Sequence, residues 1–93
     1  MTYYFEFPDH EYYALVAVDS NSFTEAAGIY AKYITGDSVF WVLEEGSPIY
    51  LTEAEAFMRF MSAPDSQNMT VEQATDKFYE TKNGVLLIDS ALL

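Results

Sequence analysis

Residues 2–18, TYYFEFPDHEYYALVAV, decide the fold. In the first part Tyr3, Phe5 and Phe7 alternate with Thr2, Tyr4 and Glu6, the period-two signature of a strand. PDHE then reads as a turn, with Pro8 presetting φ and Asp9 able to bond the backbone that follows. YYALVAV is a second strand, and its nearly unbroken apolar character implies burial on both faces. So short a polar link joins the two as an antiparallel hairpin, residues 2–7 and 12–18.

Outward from the hairpin, DSNSFTEAAGIYAKYITG predicts a helix over 22–35. Ser22 and Glu25 stand at capping-box spacing, where each side chain would satisfy the other residue's N–H. Phe23, Ala26, Ala27, Tyr30 and Ile34 form its apolar stripe, and Gly36 ends it where a left-handed residue is cheap. Gly28 inside the helix implies close packing against the sheet. SVFWVL, residues 38–43, is expected as a third strand, EEGSP as a turn, and IYL as a short return strand. Thr52 with Glu55 opens a helix over 53–62 that Pro64 and APDSQN stop, and Thr70 with Gln73 opens another over 71–82. Asn83-Gly84 closes that helix, and VLLI, residues 85–88, is a strand expected inside the sheet. The reading is a single α+β domain over 1–93, one small and mostly antiparallel sheet packed with three helices.

The composition is apolar enough for one core, with 51% hydrophobic residues in 93, and unlike a disordered chain. Charge is the anomaly: fifteen acidic side chains face four basic ones, a net charge of −11. Such a surface repels nucleic acid and anionic membranes, and its counterpart is a basic protein surface or water. Charge far from zero also serves solubility. With no cysteine, disulfides and thiolate metal sites are excluded. The N-terminus has no basic region before Pro8 and Asp9, so no signal peptide is expected, and a cytoplasmic location fits. No apolar run approaches the roughly 18 residues needed to span a bilayer.

Motifs for catalysis are sparse. His10 is the one histidine, and Asp9-His10-Glu11 supplies three ligand types that adjacent turn positions rarely converge on one ion. Asp19 to Ser22, DSNS, opens like a calcium loop, but Phe23 and Thr24 break the pattern, and helix capping explains it better. No phosphate-binding glycine loop and no nucleophile elbow is present. The expectation is a non-enzymatic protein with no cofactor and no metal. Trp41, the single tryptophan, is expected in the core, where large aromatics concentrate.

The distribution of charge carries the functional reading. No lysine or arginine precedes Lys32, and the basic residues Lys32, Arg59, Lys77 and Lys82 all fall on predicted helices, leaving strands and turns acidic. Alternate carboxylates on a strand sit about 6.6–6.8 Å apart, comparable with every second phosphate of DNA at about 3.4 Å per step. An acidic hairpin edge could therefore imitate a nucleic-acid backbone, with tyrosines adding rigid contact area. Glu53 and Glu55 lie where a helix start favours negative charge. Glu44 and Glu45 have no such explanation, and with Asp9, Glu11 and Asp37 they form the candidate partner-binding set. The alternative is a small structural or accessory interaction module, monomeric or homodimeric, binding through an aromatic surface.

DSNSFTE after a strand, AEAFMRFMSA as a mid-chain helix, and DKFYE before VLLIDSALL resemble, in order and length, the small acidic proteins of phages and mobile elements. The resemblance is to short type II anti-CRISPR inhibitors that mimic DNA. It implies an inhibitor occupying the basic, PAM-reading cleft of a CRISPR effector nuclease in a bacterial host. That cleft reads guanines with arginines, which carboxylates can pair bidentately. The acidic residues here are spread along the chain rather than dense in one central segment.

Overall fold

β1 (Tyr3–Phe7) and β2 (Ala14–Val18) pair antiparallel, with Tyr3 opposite Val18 and Phe7 opposite Ala14. This computed structural model describes residues 1–63 and 68–88. The helix stop at Pro64, the DSALL end of the last motif and the final residues of the expected domain lie outside them. The expected hairpin is the centre of a four-stranded sheet of order β3-β1-β2-β4, antiparallel throughout. β3 (Ile49–Leu51) flanks β1, and β4 (Gly84–Ile88) flanks β2 with a bulge opposite Leu15 and Val16. The fold is α+β, with four helices on the sheet.

Alternation along β1 works as read, but both faces are covered. Phe5, Phe7, Val16 and Val18 pack beneath Ala26, Ala27 and Tyr30 of α1 (Phe23–Tyr30) and Val42 of α2 (Val39–Glu45). On the other face Tyr4, Leu15, Ala17 and Leu51 meet Ala56 and Phe60 of α3 (Glu53–Ser62) and Ala74 and Phe78 of α4 (Val71–Glu80). All five residues of β2 are buried, as its apolar run implied. A sheet between two helical layers needs apolar residues on both faces, which is why so small a chain carries so many.

Several expectations are corrected. Residues 38–43 do not form a strand. Ser38 caps α2 by accepting the Trp41 N–H at 3.4 Å, and Val39, Val42 and Leu43 point inward at helical spacing. A short apolar run is compatible with either structure, and here tertiary packing decides. The place beside β1 goes to Ile49–Leu51, the return strand. Among the described residues there are therefore four α-helices, not three. VLLI is not inside the sheet but at its edge, and its apolarity reflects Leu86 and Leu87 facing the α3–α4 layer while Val85 faces α1.

The helix over 22–35 is α1 followed by one wide turn, Ala31–Thr35, where the Gly36 N–H donates to Ala31 O at 2.7 Å. Gly36 has φ 75°, the left-handed stop that was expected. Ser22 caps α1, but the reciprocal bond is absent: Glu25 accepts from the Ser20 hydroxyl at 2.6 Å, and the Ser22 N–H goes to Ser20 O. At Thr52–Glu55 and Thr70–Gln73 both bonds of the box form. α4 ends at Glu80, short of residue 82, and Asn83 takes φ 51°. Its amide brackets Asp19, accepting from the backbone N–H and donating to the carboxylate. Gly28 faces α2 rather than the sheet, and a methyl there would meet Val39 at an ordinary 3.8 Å.

Candidate functional site

The turn between β1 and β2 is anchored from below. His10 stands in the turn, as read, and is buried there, its Nε2–H donating to Val42 O of α2 at 2.8 Å and its ring edge-on to Phe7. His10 Nδ1 is buried without a hydrogen-bond partner among the described residues. The Tyr30 hydroxyl grips the same turn, donating to Tyr12 O at 2.9 Å and accepting from Tyr12 N at 3.1 Å. These bonds bring the hairpin tip against α2, and there the Glu11 N–H donates to Glu45 Oε2 at 2.9 Å. Burial pushes the Tyr30 phenol up, the bond to Tyr12 O opposes this, and the charges of Glu45 and Glu11 add to the rise.

On α2, Trp41, Glu44 and Glu45 stand three and four residues apart and so share a face. Asp37, from the segment after Gly36, completes a depression of about 360 Å³ lined by Asp37, Trp41, Glu44 and Glu45. Trp41 is not core, as expected from its size, but 60% exposed, and Phe40 beside it is 61% exposed. The two rings meet edge to face at 5.2 Å. Burial goes instead to Tyr30, Phe7, Phe60 and Phe78. Among the described residues neither the Asp37 nor the Glu44 carboxylate has a hydrogen bond or ion pair. The lysine on the turn before them, Lys32, lies 5.1 Å from the ring of its neighbour Tyr33.

Four of the five candidate residues are thus brought together: Asp37, Glu44 and Glu45 around one depression, and Glu11 through its bond to Glu45. Asp9 is exposed in the same turn and does not line the depression. The geometry expected for phosphate mimicry, a row of carboxylates on an acidic hairpin edge, is absent among the described residues. β1 and β2 are the central strands, and Glu6, the strand carboxylate, is buried. Phe40 and Trp41 were the residues missed. A helical reading of 39–45 would have found them, because it places both on the face of Glu44 and Glu45.

Glu6 serves the fold. Its Oε2 accepts from the Tyr13 hydroxyl at 2.7 Å and from Arg59 Nε at 2.6 Å, on the α3 side of β1. Burial, then the bond to Glu6, pushes the Tyr13 phenol far up, and Glu6 likewise raises Arg59. Among the described residues no group of three acidic or histidine side chains is placed to hold a metal, and no helix is long and apolar enough to cross a membrane.

Comparison with curated proteins and with solved structures returns no match. A family model does match, over residues 2–87, from the residue before β1 to the penultimate residue of β4, so it spans all four helices and the whole strand order described above. The chain belongs to the family of the YosH C-terminal domain.

Proposed function

We propose that this chain is a non-enzymatic binding protein acting in the bacterial cytoplasm, whose acidic and aromatic end docks onto a basic, nucleic-acid-binding surface of another protein and blocks it. One observation carries the reading: Asp37, Glu44 and Glu45 line a single depression with an exposed tryptophan, and Glu11 is held beside them. Carboxylates around an open aromatic ring, with no cationic side chain lining the same depression, are complementary to a cationic surface that also offers contact area. The mode is a compact acidic cap rather than a linear imitation of a phosphate strand. The sequence resemblance to type II anti-CRISPR inhibitors makes a CRISPR effector nuclease the first target to try.

The test is capture of that nuclease by the immobilised chain at several salt concentrations, with and without its DNA. Capture should fall steeply as salt rises, compete with DNA, and weaken when Asp37, Glu44 and Glu45 are neutralised to amides. Capture that ignores both salt and these substitutions overturns the reading. A second reading, a homodimeric accessory module, is favoured by exposed aromatics away from this end, including Phe23, Tyr50 and Tyr79. It predicts concentration-dependent sedimentation that persists in high salt, and a strict monomer removes it.

A further inference from the structure

The exposed aromatic pair on α2 can be assigned a more specific occupant, resting on the basic-partner reading. We propose that the depression formed by Asp37, Trp41, Glu44 and Glu45 receives one arginine side chain of the partner, its guanidinium lying on the Trp41 indole and paired with the carboxylates. Three features point there. Trp41 lines the depression with 60% of its surface open, whereas Phe40 abuts the indole at 81° and does not line it. The indole thus shares the opening with the carboxylates, and Phe40 packs against it without entering the lining.

The lining contains no cationic side chain. Of its carboxylates, Glu45 is held by the Glu11 N–H, while Asp37 and Glu44 have no hydrogen bond among the described residues. A guanidinium is suited to this combination because its plane stacks on an aromatic face while its edge donates two parallel bonds to a carboxylate. Lysine offers a compact, strongly hydrated charge and uses the indole less well. Trp is the best of the side chains for such a cation contact.

The chain has a single tryptophan, so its emission reports this site directly. The whole chain is titrated with a capped tetra-arginine peptide and, in parallel, with tetra-lysine, reading Trp41 emission and binding heat. The expected result is a saturable emission change with the arginine peptide and weaker binding of the lysine peptide. Trp41→Leu should weaken the arginine peptide about tenfold, with unchanged circular dichroism because the ring is exposed. E44Q with D37N should weaken both peptides and reduce the emission change.

If W41L binds the arginine peptide as the parent does while the charge-neutral variant binds less, the tryptophan seat is overturned and the basic-partner reading stands. If the charge-neutral variant also binds like the parent, both fail. Equal affinity for the two peptides, or an emission that never changes, overturns the choice of arginine.

Discussion

At the scale of single residues, the most consequential side chain is Glu6, a carboxylate on a central strand with its residue surface 93% covered. It is tolerable because two donors converge on one oxygen, Tyr13 at 2.7 Å and Arg59 at 2.6 Å. Only Glu6 of this pair is buried, the Arg59 side chain being 43% exposed, so the pair is weak evidence for net stabilisation, while removing Arg59 would strand a buried carboxylate. Arg59→Met should therefore lower the denaturant midpoint, and adding Glu6→Leu should restore much of the loss. A double variant no better than R59M alone would show that the pair stabilises the fold beyond its own desolvation. Tyr13→Phe removes one bond to Glu6 and should cost about 1 kcal/mol. The tyrosines also set the alkaline limit. Burial holds the Tyr13, Tyr4 and Tyr30 phenols above their ordinary value of 10.0. A group whose folded value is raised keeps its proton longer in the folded state. Its contribution is whole below the unfolded value and lost as pH climbs above it. Unfolding followed by circular dichroism should show stability flat to about pH 9 and falling beyond about pH 10, with a shallower fall in Tyr13→Phe.

At the scale of elements, α2 is where local preference and packing disagree. Its valines and aromatics favour strands, yet Ser38 caps it and Val39, Val42 and Leu43 fit the groove beside α1. That contact makes Gly28 testable. The residue lies inside α1, and a Cβ there would stand 3.8 Å from Val39 Cγ2, which is ordinary contact with no backbone in the way. A helical glycine costs about 0.5–1 kcal/mol relative to alanine, so Gly28→Ala should stabilise by about that amount, read as a rise in the urea midpoint at unchanged slope. A loss of stability would mean that the α1–α2 contact is tighter than the 3.8 Å to Val39 Cγ2 implies. The capping boxes at Thr52 and Thr70 were legible because their chemistry is local, three residues apart and independent of the rest of the chain. At Ser22 the same spacing misled, because Ser20 offered Glu25 a nearer hydroxyl and Ser22 N–H a carbonyl. Local motifs survive folding unless a neighbour competes for the same atoms.

At the scale of the whole molecule, the α+β class and the central hairpin were legible from alternation and apolar runs, which depend only on which face is buried. Strand order was not, because β4 looks interior by composition when two helical layers cover an edge strand. The candidate carboxylates Glu44 and Glu45 were legible as charges the fold did not require. Their company was not, since the position of Trp41 depended on reading 39–45 as helix. What remains is the effect of a net charge of −11 on a chain of 93 residues. Self-repulsion of that size destabilises a compact state, and unfolding relieves it by spreading the charges. The one ion pair among the described residues, Arg59 with Glu6, is in direct contact at 2.6 Å with its carboxylate buried, so salt screens it less than it screens charges further apart. Raising salt from about 0.01 M to about 1 M shortens the screening length from about 30 Å to about 3 Å. Thermal unfolding should accordingly shift upward across that range. Binding to a basic partner should weaken over the same range, because there the screened interaction is attractive. The opposed signs separate the two roles of the charge: stability and affinity measured on one sample should move in opposite directions with salt. If affinity instead rose together with stability, the acidic end would be bystander charge and the partner would be held by the aromatic surface.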